Sequence, residues 1–171
     1  TPDPVVITYT VTIDGVAQTV ASGTVLQAPA DPVQTGSVFS GWDKTFPLTV
    51  TKDETVTSQW LVARTVTFNV AGVLTTQTVG DGLSIQNPAN PVTAVDKRFN
   101  DWDQTFPLTV AADVTVTANL VQLYSVTYDT TNWTGTAPAT GWYAAGESFS
   151  LPSPTLTMDD GFGSVLSAGL W

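Results

Sequence analysis

Carboxylates are the side chains in this sequence best suited to do chemistry, and they recur close together as Asp53-Glu54, as Asp101 with Asp103, and as Asp159-Asp160. A glycoside-cleaving pair needs two carboxyl groups at a defined separation in a cleft, with environments that push their pKa values apart. These pairs are adjacent or turn-located in an acidic chain, which is the pattern of solvated turn positions. Calcium asks for several oxygen ligands at alternating spacing with a glycine among them, and Asp159-Asp160-Gly161 is the one stretch with that character. Histidine and cysteine are both absent. Their absence removes the imidazole general base, the thiolate nucleophile, the commonest transition-metal ligands and the Ser-His-Asp triad. A chain so equipped is expected to have no catalytic residues, no metal site and no cofactor, and not to be an enzyme. A lysine–asparagine isopeptide crosslink would draw on Lys44, Lys52 or Lys97, which fall in expected turns.

Aromatic residues are the other candidates. Trp133, Trp142 and Tyr143, with Tyr128 nearby, gather towards the C-terminal end. Aromatic platforms in an uncharged polar setting suit sugar rings, and the same residues could equally pack as a buried cluster. An exposed concave cluster containing Trp133 and Trp142 would mark a binding module for a glycan or a protein.

Whole-chain composition narrows the partners. The 171 residues carry a net charge of −10 with five basic residues, so no Lys/Arg patch exists to neutralise nucleic-acid phosphates or to seek an anionic membrane. Charged residues are 12% of the chain, about half the usual ~25%. Threonine supplies the polar surface instead, and beside valine it reads as the solvent face of β-strands. No apolar run approaches the ~18 residues of a membrane-spanning helix, and Thr1-Pro2-Asp3-Pro4 does not read as a signal peptide. A soluble, mature segment is expected.

The elements that position these residues are set by an internal repeat. Trp42-Asp43-Lys44-Thr45-Phe46-Pro47-Leu48-Thr49-Val50 returns as Trp102-Asp103-Gln104-Thr105-Phe106-Pro107-Leu108-Thr109-Val110 with one change. Such self-similarity marks an array of small units. Repeat 1 opens with Ile7, Tyr9, Val11 and Ile13 alternating against threonines, a half-buried strand. Asp14-Gly15 is a strong hairpin signal, and Val16 to Val20 is the returning strand. Ala28-Pro29-Ala30-Asp31-Pro32 reads as a loop because proline cannot donate to a ladder, with a short helical turn expected through Gly36. Strands are expected over Val38 to Trp42, Phe46 to Val50 and Thr55 to Leu61. Repeat 2 follows the same plan, with Val66 and Phe68 in place of Val11 and Ile13 and four extra residues within 70–76. A diverged repeat 3 opens at Tyr124, where Val126-Thr127-Tyr128-Asp129 matches Val11-Thr12-Ile13-Asp14. The expected boundaries are 1–62, 63–122 and 123–171. Connectors Trp60 to Arg64 and Leu120 to Tyr124 lack Gly, Pro and Ser, which predicts buried joints and restricted bending.

The signature residues Trp42, Phe46, Trp102 and Phe106, with Phe39 and Phe99, are expected in the core of each repeat, since a unit this small needs large apolar side chains to fold. Pro47 and Pro107 belong to the same signature. Asp43 and Asp103 are expected to accept backbone N–H groups in the turns before Thr45 and Thr105.

An opening Val-Thr-x-Asp strand, a Pro-rich middle, Phe-x-x-Trp-Asp, Phe-Pro-Leu-Thr-Val and a closing Asp-x-Thr-Val-Thr strand together resemble the Listeria–Bacteroides repeat family, which includes the internalin B-type repeats of bacterial surface proteins. The resemblance covers two complete units and most of a third. It implies a mostly β architecture of tandem β-grasp-like units in an elongated array. It also implies an extracellular, cell-surface location and a role as stalk or adhesive segment, with neighbouring repeats, copies of the same protein, and surface glycans or proteins as the partners. Repeat 2 departs from the pattern by carrying Asp101 where glycine precedes the signature tryptophan. Val5-Val6-Ile7 stand before repeat 1 as Trp60-Leu61-Val62 stand before repeat 2, and repeat 3 lacks the Phe-Pro-Leu-Thr-Val segment. From this an unfilled sheet edge is expected, covered by continuing chain or by the N-terminal segment of a neighbouring copy in a strand-complemented filament.

Overall fold

The structure, a computed structural model, describes residues 5–128 and 134–150, together with the backbone of two further strands at Thr155–Asp159 and Val165–Ser167. Among the described residues there are strands and no helix, as expected for a mostly β chain. The segment at 31–36 contains a turn and no helical residue. Val33 in this segment is 98% exposed, so no apolar contact holds so short a helix down.

Repeat 1 is built from β1 (Thr8–Ile13), β2 (Val16–Ala21), β3 (Val25–Leu26), β4 (Ser37–Trp42), β5 (Leu48–Thr49) and β6 (Glu54–Val56). Strand β1 is flanked by β2 antiparallel, with Thr8 opposite Ala21 and Ile13 opposite Val16, and by β6 parallel, with Val11 beside Glu54. The β1–β2 turn has Asp14 and Gly15 at φ 42° and 85°, the left-handed pair that lets a two-residue hairpin match strand twist. Alternation along β1 sends Val11 inward, where it is fully buried with Val50 and Val56. Tyr9, Ile13, Val20, Leu26, Trp42, Phe46 and Leu48 pack on this trio. Burial of each valine contributes about 1.5–3 kcal/mol.

The expected single strand over Thr55 to Leu61 is two strands. Chain direction is kept, but pairing changes at Thr57, between β6 and β7 (Ser58–Val70). Up to Val56 the chain is the parallel partner of β1; from Ser58 it is the antiparallel partner of β4, with Trp42 opposite Ser58, Phe39 opposite Trp60 and Ser37 opposite Val62. Asp14 stitches the changeover: its N–H donates to Val56 O and its Oδ1 accepts the Ser58 N–H.

Strand β7 does not end with repeat 1. Its 13 residues run on to Val70 and turn through Ala71-Gly72 into β8 (Val73–Gly80). Then come β9 (Ser84–Ile85), β10 (Lys97–Trp102), β11 (Leu108–Thr109) and the 13-residue β12 (Val114–Val126). Val66, Val110 and Val116 are buried as Val11, Val50 and Val56 are. Strand β12 pairs with β10, Phe99 opposite Leu120 and Lys97 opposite Gln122, and continues into repeat 3 to pair with β14 (Gly141–Ala144). Strand β13 (Thr134–Thr136) pairs with β15 (Thr155–Asp159), which pairs with β16 (Val165–Ser167). The connectors are thus neither loops nor linkers. Each is the middle of a strand that closes one repeat and opens the next.

Strand sharing also decides which residues cluster. One compact unit runs through Phe68 and takes in Leu74–Asn87 and Gln104–Val116; the other takes in Asn69–Val73, Pro88–Asp103 and the chain from Thr117 on. In the first, Gly80 closes against the joint: a Cβ there would meet Leu61 Cδ1 at 2.7 Å and Leu61 Cβ at 3.1 Å.

The hairpin turn of repeat 2 is less well fitted than that of repeat 1, because Ala71 takes φ 53°. A left-handed alanine costs roughly 1–2 kcal/mol. Ala71→Asn is expected to raise the midpoint of thermal unfolding by a few degrees, about 0.5–1 kcal/mol. A midpoint unchanged or lowered in the calorimeter would show that this turn is not strained.

Candidate functional site

Trp42 and Trp102 are half-buried. Trp42 packs on Val11, Val50 and Val56, and meets the Phe39 ring edge-on at a centroid distance of 5.3 Å. Phe39 in turn meets Trp60 across the joint at 5.7 Å. In repeat 2 the Phe99 and Trp102 centroids are again 5.3 Å apart, and Leu120 stands where Trp60 stood. Phe46 and Phe106 are half-buried, while Pro47 and Pro107 are exposed. The register shift between Phe39 and Gly41 recurs between Phe99 and Asp101. Asp101 therefore keeps the kink, and it accepts a hydrogen bond from Asn119 Nδ2 at 2.7 Å.

Asp43 and Asp103 accept backbone N–H groups as expected, but not in a local turn. Asp43 Oδ1 accepts from Thr57 N at 2.7 Å while Asp43 N donates to Thr57 O at 3.0 Å. Asp103 and Thr117 form the same reciprocal pair at 2.7 and 2.9 Å. The carboxylate satisfies the N–H freed where the chain changes partners, a need that arises only once β4 and β7 are side by side. Asp53 and Asp113 do likewise for Thr10 N and Thr65 N, both at 2.8 Å. Each of these carboxylates is thus occupied with backbone.

Glu54 faces Lys44 at 3.2 Å and Lys52 at 3.9 Å, so neither lysine is presented to an asparagine. Asp159-Asp160-Gly161 lies outside the described side chains. Among the described residues no group of three or more acidic side chains is arranged to hold a metal ion.

Of the three candidate aromatics, Trp133 lies outside the described residues. Trp142 and Tyr143 are successive residues of β14 and so point to opposite faces, and do not form one platform. Trp142 is 36% exposed. Tyr143 instead stacks on Phe149, centroids 4.5 Å apart and planes at 26°. Its cross-strand partner Tyr124, on the same face, is 60% exposed. Gly141 makes room for the ring, since a Cβ there would meet Tyr143 at 2.4 Å. The aromatic face that does exist, Tyr124, Tyr143 and Phe149, was not legible beforehand, because the long hairpin loop hid which residues of β12 and β14 are opposite.

Beside this face, Glu147 ties repeat 3 to repeat 2. Its carboxylate accepts from Ala144 N at 2.9 Å and pairs with Arg98 at 3.1 and 3.2 Å. The backbone hydrogen bond first, and Arg98 second, hold its carboxyl below the ordinary value of 4.5. A lowered folded-state pKa adds stability that is present above 4.5 and lost as pH falls through the lowered value. The Glu147 carboxyl resonance is expected to titrate below that of a free glutamate, and to move up in Arg98→Gln. Titration at the ordinary value in both proteins would show that the contact does not form in solution.

The second compact unit also holds an apolar groove of about 360 Å³ lined by Val70, Ala71 and Val73 of the hairpin, by 91–94, and by Lys97 and Leu120. Residues of the enlarged β7–β8 hairpin form one wall.

Among the described residues no helix is long and apolar enough to cross a membrane. Residues 7–60 match the family model of the Listeria-Bacteroides repeat domain, about a third of the chain and most of repeat 1. No curated protein and no solved structure matches the chain.

Proposed function

We propose that this chain, whose residues 7–60 match the Listeria-Bacteroides repeat domain, is a non-catalytic tandem-repeat segment of a bacterial surface protein, a stalk or spacer made of repeats at 1–62, 63–122 and 123–171. One observation carries the reading: the joints are strand, not linker, so that the residues closing one repeat open the next. A spacer needs that property, because a continuous hydrogen-bonded strand limits bending where a Gly/Ser linker would not. Of the carboxylates that could have done chemistry, Asp53 and Asp103 accept backbone N–H groups, Glu54 faces two lysines and Asp101 accepts from Asn119, which supports a structural role for them. The match to a family of repeats found in bacterial surface proteins supports an extracellular location.

Antibodies raised against the folded chain test this on the source bacterium. Labelling of intact cells, removed by brief external protease treatment, is the expected result. Labelling that appears only after lysis would overturn the surface assignment.

A further inference from the structure

We propose that the groove beside the β7–β8 hairpin of repeat 2 is a binding site for a linear aliphatic carboxylate, with the hydrocarbon chain against Val70, Val73, Val92 and Leu120 and the carboxylate on Lys97. The groove has a volume of about 360 Å³, about a dozen water volumes at ~30 Å³ each, and an unbranched acid of about ten carbons has about as many heavy atoms. Small-molecule sites are built this way, mostly apolar with few placed polar groups. Val73 and Val92 are 68% and 98% exposed, an apolar rim open to an entering chain.

Charge identifies the head group. Of the five basic residues, Lys44 and Lys52 face Glu54, Arg64 pairs with Asp81 and Arg98 with Glu147. Among the described residues Lys97 has no carboxylate partner, although it is half-buried in the groove wall. The adjacent Asp96 carboxylate lies 3.4 Å from Gln122 Nε2 instead. An unpaired ammonium in an apolar wall attracts an anion. One ammonium balances one negative charge, which matches a carboxylate better than a phosphomonoester of about −1.5 to −2.

The backbone around the groove argues for a hydrocarbon chain over a peptide. Lys97 N donates to Ala94 O at 2.9 Å, Lys97 O accepts from Thr93 Oγ1 at 2.8 Å, and Asp96 O accepts from Leu123 N at 2.7 Å. Pro91 has no N–H to offer. A peptide laid here would bury its own amides without partners, at roughly 1–3 kcal/mol each, and an alkyl chain carries no such groups. The groove is also where repeat 2 departs from repeat 1. Its hairpin is longer by four residues, Leu120 stands where Trp60 packs on Phe39, and Lys97 stands where repeat 1 has Ser37. These three departures are distant in sequence and meet on one surface.

Titration calorimetry of the full chain with decanoate, below its micellar concentration, tests this. One decanoate is expected to bind per chain. Lys97→Ser, which installs the repeat 1 residue, is expected to weaken decanoate about tenfold and to leave decan-1-ol unchanged. Val73→Glu, at an exposed position, is expected to weaken decanoate at least as much without moving the thermal midpoint. Absence of decanoate binding to the parent chain would overturn the proposal and leave the spacer reading standing. So would equal binding by parent and Lys97→Ser, or tighter binding of a short peptide ending in leucine, which would assign the groove to a protein terminus.

Discussion

Replacing Trp42 by alanine is expected to remove a large share of the stability of repeat 1. Deleting a core aromatic costs about 3–5 kcal/mol, and a unit of this size has a total stability of only about 3–9 kcal/mol at typical per-residue values. One term works the other way. Trp42 Nε1 is buried with no acceptor, and removing an unsatisfied donor relieves about 1–3 kcal/mol. The ring wins because it covers Val11, Val50 and Val56 together, and a net loss of about 2 kcal/mol is expected. Trp42→Phe separates the two terms: it keeps most of the ring and discards the N–H, so its cost should be about 1 kcal/mol. Thermal melts check both. A Trp42→Ala midpoint within a degree or two of the parent would show that the indole is not a core group.

The second large effect is expected at the joint. Ala63→Pro removes the N–H that bonds Gly36 O and places a ring in the middle of β7, at a cost of about 1–3 kcal/mol for the carbonyl left without its donor. The loss falls on two repeats at once. Ser58–Val62 is the partner of β4 in repeat 1, and the same strand carries Val66, fully buried in repeat 2. In the parent the two repeats should melt in one transition, and in Ala63→Pro repeat 1 should melt first and alone. Loss of stability confined to a single transition with unchanged width would mean that β7 does not couple them.

Much of this fold could be read in advance because it is local. Alternation along Tyr9, Val11 and Ile13 sets the buried face of β1, and Asp14-Gly15 sets its hairpin. Eight identical residues at a constant offset require Trp102 to do what Trp42 does. What could not be read depends on segments far apart in the chain. The parallel pairing of β1 with β6 brings together residues 43 apart, as from Val11 to Glu54. The N–H groups that Asp43, Asp53, Asp103 and Asp113 accept become available only where such distant segments come together. These aspartates looked like turn residues because the sequence around them is turn-like; their partners are Thr57, Thr10, Thr117 and Thr65. The candidate site fared less well than the scaffold for the same reason. Adjacent Trp142 and Tyr143 suggest one aromatic cluster, yet a strand separates neighbours to opposite faces and recruits Tyr124 and Phe149 instead.

Native-state hydrogen exchange at the Ala63 and Leu123 amides tests most directly the claim that these repeats are joined by shared strands. Both amides lie between one repeat and the next, and both donate to a carbonyl of the preceding repeat, Gly36 O and Asp96 O. If the joints are structural, their exchange requires the same opening as the buried Val11 and Val66 amides, and the opening free energies agree to within about 1 kcal/mol. Exchange at the joint amides near the rate of unstructured peptide, while Val11 and Val66 remain protected, would contradict the account: the repeats would then be independent domains on flexible tethers.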